Sequence, residues 1–308
     1  MDAKQKIVTI LSQARDVVSG ETLSTELGVS RVSVWKHIKG LVQSGIPIVS
    51  SPKGYCLPRD PDCLMPWAFD EWRDRIRYFP ETTSTMDEAM SLARKGCPDF
   101  TVAVAQRQTC GRGRMKRIWL SADGGLYFTV VVRPDIPIMM AGLVNLAAAL
   151  DMTEQLRALY HVDAHVKWPN DILVGNHKIC GVLSQMEAEG DQVAHMNIGV
   201  GLNVNNAPET EEPIAVSLRT LMGRTVPRRE ILTAFLEAFE RRIRAFDPHQ
   251  VIDQWQSCNV TLGRKVRVFT VKDRVEGTAE ALDEHGGLVL RLADGSRRTV
   301  VYGDCFHR

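Results

Sequence analysis

The densest set of chemically able side chains is Gln108-Thr109-Cys110-Gly111-Arg112-Gly113-Arg114-Met115-Lys116-Arg117-Ile118-Trp119, directly after a strand-like run at 102–105. Gly111 and Gly113 let a backbone come close to a ligand, and Arg112, Arg114 and Arg117 offer forked donors suited to carboxylate and phosphate. An anionic guest is one reading of this loop, and a solvated basic loop is the other. It is not a dinucleotide fingerprint, because the third glycine of G-x-G-x-x-G would fall on Lys116, and no G-x-x-x-x-G-K-[ST] phosphate loop occurs. A second cluster, Lys167-Trp168-Pro169-Asn170-Asp171-Ile172-Leu173-Val174, passes through Gly175-Asn176-His177 into Lys178-Ile179-Cys180-Gly181-Val182-Leu183 and reads as a hairpin with a short polar turn. Taken alone, Lys178 is as compatible with a solvated lysine as with a catalytic cation. A third cluster, Ile198-Gly199-Val200-Gly201-Leu202-Asn203-Val204, sets two glycines in a strand, which marks either a close backbone approach or a bulge.

Two weaker constellations carry no chemistry. His161 and His165 have the spacing of a helical metal pair, yet Val162, Ala164 and Val166 alternate as a strand does and no third ligand follows. The seven cysteines are odd in number, scattered and without a Cys-x-x-Cys pair, so they read as reduced thiols. Cys110 lies in the loop but has no paired histidine motif, so it reads as a packing residue.

The elements that must position these clusters fall in three segments. Strand-like runs at 102–105, 126–132, 164–168, 178–187 and 195–204 alternate with helical patterns at 85–94, 141–160 and 228–246, a mixed α/β or α+β layout. Ahead of it, Ile7, Ile10, Leu11 and Ala14 keep helical spacing, Ser19-Gly20-Glu21 caps a short helix with Leu23 and Leu27, and Gly28-Val29-Ser30 makes a tight turn. A third helix carries Val34, Ile38, Leu41 and Val42 on one stripe and ends at Gly45. A hairpin follows, Ile46-Pro47-Ile48-Val49, a turn over 50–54, then Tyr55-Cys56-Leu57. This is the layout of a winged helix-turn-helix. Residues 30 to 58 hold Arg31, Lys36, Lys39 and Lys53 and no acid, four bases in a chain of net charge only +1, as phosphate neutralisation requires. A helical domain with a solvated basic face is the alternative. Pro58-Arg59-Asp60-Pro61-Asp62 reads as a linker, and from about Leu262 short strands punctuated by His285-Gly286-Gly287 and Ala293-Asp294-Gly295-Ser296 read as a small β-barrel that docks on the main domain. The expected domains are 1–60, 66–258 and 260–308.

Composition sets the outer bounds. At 308 residues, 44% apolar and 24% charged, global disorder is excluded. The most apolar stretch, 136 to 150, is broken by Pro137 and Asn145 and falls short of the ~20 residues of a membrane span. Met1-Asp2-Ala3-Lys4-Gln5-Lys6 lacks the apolar region of a secretory signal, which makes a cytoplasmic location the expectation.

In combination, Thr83-Ser84-Thr85, the Gly-Arg-Gly-Arg loop, the Lys-Trp-Pro-Asn-Asp stretch, Lys178-x-x-Gly181 and Ile198-Gly199-x-Gly201-x-Asn203 follow the order and approximate spacing of the biotin protein ligases. The resemblance covers essentially the whole chain. With its winged-helix head and small barrel tail the chain resembles the bifunctional form, biotin protein ligase and biotin operon repressor in one polypeptide. The resemblance implies an α+β protein with a central mixed-sheet ligase domain and an SH3-like C-terminal β-barrel. It also implies activation of biotin by ATP to biotinyl-5′-adenylate, with Mg²⁺ bridging phosphates, and transfer to a lysine of the biotin carboxyl carrier protein of acetyl-CoA carboxylase. Lys178 would bridge the biotin carboxylate and the α-phosphate, and Arg114 would hold the adenylate.

By the same resemblance Ser84, Thr85, Gln108, Gly111, Arg112, Gly113, Gly181 and Gly199 would line the biotin end, and Arg117, Trp119, Asn170, Asp171 and Asn203 the nucleotide end. Arg31, Ser33, Lys36 and His37 would face operator DNA, with Lys53 on its backbone, and the adenylate would promote a homodimer. No protein ligand for the metal ion is implied. Two positions depart from the family pattern: Met86 stands where asparagine is common, and Lys116 where a third loop glycine is common. The alternatives are a sensor that binds biotin only to regulate DNA, and a ligase whose winged helix no longer binds DNA. A lipoate ligase lacks support, because its Arg-Arg-x-x-Gly-Gly-Gly signature is absent.

Overall fold

The computed structural model describes residues 3–14, 16–43, 46–58, 62–208, 214–270 and 273–307. Gly45, the expected helix end, and residues 59–61 of the expected linker lie outside them. The chain forms two compact units, Met1–Asp74 and Arg75–Arg308.

The first unit packs α1 (Ala3–Gln13), α2 (Gly20–Leu27) and α3 (Arg31–Gln43) around Ile7, Leu11, Leu23, Val34 and Ile38. Ser19 caps α2 by accepting the Thr22 amide at 3.0 Å, Gly28 ends it at φ 66°, and Ser30 accepts the Ser33 amide at the start of α3. Each cap satisfies an amide or carbonyl that the helix leaves open. The stripe on α3 is narrower than its sequence pattern, for Val42 is exposed. The wing is also shorter, β1 (Val49–Ser51) with β2 (Gly54–Cys56). Ile46 and Ile48 are spent on the helical core and do not join the ladder. Val18 completes the wing from the other side by exchanging both backbone hydrogen bonds with Tyr55, at 2.8 and 2.9 Å. A Cβ on Gly54 would lie 2.1 Å from the Val18 carbonyl oxygen, so only glycine admits this crossing. Trp67 packs on the same core.

The second unit is built on a seven-stranded mixed sheet, formed by β3 (Ile76–Thr82), β4 (Thr101–Gln108), β7 (Leu126–Val132), β11 (Gln192–Leu202), β10 (His177–Glu189), β9 (Asp171–Val174) and β8 (Ala164–Lys167) in that spatial order. Only β3 and β4 are parallel. A two-stranded hairpin, β5 (Gly111–Arg112) with β6 (Ile118–Trp119), stands off the sheet. Strand alternation assigns the two faces. Phe128 meets Phe235 of α7 (Arg228–Arg244), whereas Thr129, the next residue, bonds Thr85 of α4 (Thr85–Arg94) on the opposite side. The α7 face is closed by α5 (Ala141–Tyr160) and α8 (Pro248–Ser257). These helices are tied by Arg242, which donates to Asp151 at 2.7 Å, Gln254 at 2.7 Å and Glu154 at 3.3 Å. β3, α8 and the short α6 (Leu218–Met222) carried no sequence signal of their own, β3 because its apolar and polar residues do not alternate cleanly.

The C-terminal strands β12 to β16 (Lys265–Phe269, Arg274–Leu282, Leu288–Arg291, Arg297–Val300, Asp304–His307) form an antiparallel sheet in the order β15-β14-β13-β12-β16, with no pairing between β15 and β16. This order, with the first strand of the segment between the second and the last and a register shift within β13, is that of the expected small β-barrel. It docks as expected: the Trp168 indole donates to the Gly286 carbonyl at 3.0 Å, and a Cβ at Gly286 would strike Leu146 of α5. Burying that surface supplies the core that so small a sheet lacks.

Candidate functional site

A cavity of about 230 Å³ opens on the α4 side of the sheet. Its inner end is a hydrogen-bonded chain. Gln108 accepts from the Thr85 amide at 2.8 Å and the Thr85 hydroxyl at 3.2 Å and donates to Ser121 at 2.8 Å, while Thr129 donates to Thr85 at 2.9 Å. These contacts fix the orientation of the Gln108 amide, and Ser84 sits here as the cap of α4. Met86 completes the wall: a Cβ on Gly199 would lie 2.7 Å from its sulfur, so the strand glycine is the counterpart of the methionine. Gly111 does not line the cavity. It lies against the Trp119 carbonyl and Ser121, where a Cβ would come within 2.6 Å, so its work is to close the β5–β6 hairpin.

The middle of the cavity is occupied by Trp119. Its indole lies over Gly201 and Gly181, where Cβ atoms would approach it to 2.5 and 3.0 Å, which explains two glycines on neighbouring strands. The indole nitrogen is buried with no hydrogen-bond partner among the described residues. The Lys178 ammonium stands 5.0 Å from the ring centroid and 2.8 Å from Asp171. Lys178 is held in place by its backbone, which donates to Ile214 and accepts from Val216.

The outer end is cationic. Arg114 donates to Asn170 at 3.3 Å, and Asn170 is itself anchored on the Val182 carbonyl at 2.8 Å. Burial pulls the Arg114 guanidinium below its ordinary pKa, against the opposing influence of Asp304 and Asp171. Arg117 pairs with Asp304 at 2.5 Å, and Arg112 pairs with Asp87 of α4. Asn203 is buried and oriented by Asn206, which donates to it at 3.0 Å. Three cations thus rest on three carboxylates, so an anionic guest must compete for charges that are already paired. Of these carboxylates, Asp87 and Asp304 were not singled out from the sequence, nor was Phe306, which also lines the site. Asp304 and Phe306 come from β16, some 190 positions beyond the loop, and no local pattern reveals them.

The hairpin carries one more consequence of its sequence. Met115 and Lys116 have φ of 51° and 62°, the left-handed region in which a side chain costs about 1–2 kcal/mol. Lys116, the departure from the family glycine, sits where glycine is the conformationally easy residue. His161 likewise caps α5 at φ 54°, and His165 contacts Asp163 and Arg157. No group of three metal-ligating side chains occurs among the described residues. All seven cysteines are free, and no helix of the described residues is long and apolar enough to cross a membrane.

On the first unit, Arg31, Lys36 and Lys53 are exposed as expected, but Ser33 and His37 are half-buried. The exposed surface of α3 also includes Val32, Trp35 and Lys39.

A slot with hydrogen-bonding groups at one end, glycine backbone in the middle and cations at the other suits an enzyme that binds an organic acid and joins its carboxylate to a phosphate. A model of the biotin/lipoate A/B protein ligase family matches residues 78–203, an HTH domain model matches 4–56, and a biotin protein ligase C-terminal domain model matches 261–308. Over 313 residues the chain is 32% identical to the bifunctional ligase/repressor BirA of Bacillus spizizenii, with 96% of each covered. It is 34% identical over 247 residues to a biotin acetyl-CoA-carboxylase ligase of Mycobacterium tuberculosis, covering 77% of this chain and 90% of that one. The biotin protein ligase from Aquifex aeolicus in complex with biotin and ATP superposes with a TM-score of 0.64 at 27% identity, over 76% of this chain and 98% of that chain. The chain belongs to the biotin protein ligase family, in the form that carries an N-terminal helix-turn-helix domain.

Proposed function

We infer that this protein is a biotin protein ligase that forms biotinyl-5′-adenylate from biotin and ATP, passes the biotinyl group to a lysine of biotin carboxyl carrier protein, and represses transcription through its winged helix. The observation that carries the reading is the single slot running from the Thr85–Gln108 hydrogen bonds, past Lys178, to Arg114 and Arg117. In the first step a biotin carboxylate oxygen bonds to the α-phosphorus of ATP and the bond to the β-phosphate oxygen breaks, releasing pyrophosphate. Negative charge builds at the α-phosphate, where Lys178, released from Asp171, provides a compact cation. Ser84, Thr85 and Gln108 hold the ureido ring, and the backbone of Arg112, Gly113, Gly181 and Gly199 lets the chain of biotin lie close. Gly111 serves that end indirectly, through the hairpin. In the second step the carrier lysine amine attacks the acyl carbon and AMP leaves with the shared oxygen.

Arg114 and Arg117 retain the adenylate between steps, and Asn170 and Asn203 border the nucleotide. Trp119 has to leave the Gly181–Gly201 floor as ligand enters, after which its ring is free to cover the base. Asp171 has the donor chemistry that would hold Mg²⁺, which would supply charge neutralisation there, and Mg²⁺ needs few protein ligands. Intact-mass analysis of a carrier domain incubated with enzyme, biotin, ATP and Mg²⁺ is expected to show one added biotinyl group, and none when EDTA replaces the metal. Unmodified carrier, with biotin still bound to the protein, would favour the sensor reading.

For regulation, the adenylate orders the loops and promotes a homodimer in a cytoplasmic protein, so that dimer rather than monomer engages operator DNA. Sedimentation equilibrium is expected to give a tighter monomer–dimer constant with adenylate than without, and equal constants would end this part of the proposal.

A further inference from the structure

The exposed face of α3 is not that of a helix serving only as a solvated surface. Val32 is 64% and Trp35 52% exposed, the two least covered large apolar side chains among the described residues of the first unit. Neither belongs to the helical core, which takes Val34, Ile38 and Leu41 from the same helix. Both stand among cations: the Lys39 ammonium lies 5.3 Å from the Trp35 ring centroid, Arg31 is one turn back, and Lys36 follows directly. Arg31, Val32 and Trp35 form one wall of a groove whose other wall is the wing turn with Lys53, and Glu21, in the first turn of α2, is its one acid.

Apolar surface set inside a basic frame matches duplex DNA. Phosphates take the cations, and the thymine C5-methyl is the one apolar group that base edges present in the major groove. A second copy of this face is a poorer occupant, because a two-fold contact would set these cations against one another. We propose that Val32 and Trp35 determine operator specificity by taking thymine methyl groups, while Arg31, Lys36, Lys39 and Lys53 hold the flanking phosphates. Ser33 and His37 are half-buried on the same helix, less uncovered than Val32 and Trp35. The proposal rests on the DNA-binding reading above and adds to it the residues and the base feature that confer sequence preference.

The test uses the full-length protein with biotin and ATP, a random-sequence duplex pool, and the site that the wild type enriches from it. Each thymine of that site is then replaced in turn by uracil, which removes only the methyl group. The wild type is expected to lose about fourfold in affinity at one or more positions, the worth of one buried methyl group. Trp35→Ala and Val32→Ala, which truncate exposed side chains and leave the core intact, are expected to bind the thymine and uracil forms of those positions equally, with Trp35→Phe intermediate. A wild type indifferent to uracil everywhere, or variants that keep the wild-type loss, would overturn the assignment. An altered monomer–dimer constant in Trp35→Ala with unchanged thymine discrimination would also overturn it, in favour of a protein contact. Failure of the wild type to enrich any sequence would instead remove the DNA reading itself, and the proposal with it.

Discussion

Lys178→Ala is expected to slow adenylate formation by about 10²- to 10³-fold, the usual loss when one preorganised donor to developing charge is removed. The side chain is the compact cation at the centre of the slot, 2.8 Å from Asp171 and over the Trp119 ring. Its backbone is paired on both sides, so truncation leaves the strand in place. Pyrophosphate release in a single turnover isolates the step. Transfer from chemically prepared biotinyl-adenylate, which bypasses that step, is expected to suffer far less. Lys178→Arg is expected to recover little, because a planar fork on a longer stem does not reproduce a point charge in a slot floored by Gly181. A pyrophosphate release rate within threefold of wild type would remove Lys178 from the chemistry and leave it a structural partner of Asp171.

The second large effect is on stability and lies away from the slot. Asp151 is 1% exposed within α5, and one of its carboxylate oxygens has no partner among the described residues while the other accepts from Arg242. Burial pushes the Asp151 pKa up to about 7, and Arg242 acts against that rise. Arg242→Leu is expected to cost about 3–5 kcal/mol at neutral pH, because it leaves a buried carboxyl uncompensated and unties three helices. The pH dependence follows from the direction of the shift. A carboxyl whose folded pKa is raised binds its proton more tightly in the native state, so stability falls as pH rises from the ordinary carboxylate value near 3.8 toward 7. Without Arg242 the folded pKa climbs further and that window extends upward. Urea unfolding of Arg242→Leu is therefore expected to show a larger deficit at pH 8 than at pH 6, and Asp151→Leu in the same chain is expected to restore much of it. A deficit independent of pH would mean that the lost helix contacts, and not the charge, set the cost.

Much of the candidate site was legible without coordinates, because it is built from residue types whose chemistry restricts their use. The loop arginines and the Lys-Trp-Pro-Asn-Asp stretch stood out by residue type, Lys178 through the family resemblance, and the structure brings them to one cavity. Helix caps were equally legible: Ser19, Gly28 and Ser30 act within four residues of their own position, so local sequence suffices. Gly111 and Trp168 were different. Both sit in the motifs, yet one shapes a hairpin and the other pegs the C-terminal sheet, since a motif does not say which of its members touches a ligand.

What the amino-acid sequence determined by itself was most of the elements, β3, α6 and α8 apart, their order in three segments, and the basic character of the loop, all of which follow from periodicity and from side-chain type. What only the tertiary structure decided was which distant groups meet. Asp87 and Asp304 neutralise Arg112 and Arg117, Met86 fills the space that Gly199 leaves, and Trp119 lies on Gly181 and Gly201. On α3 it left Val32 and Trp35 more uncovered than Ser33 and His37. The physical reason is the same in each case: a carboxylate, a methyl or an indole ring acts over a few ångströms, and nothing along the chain records which residues folding will bring within that range.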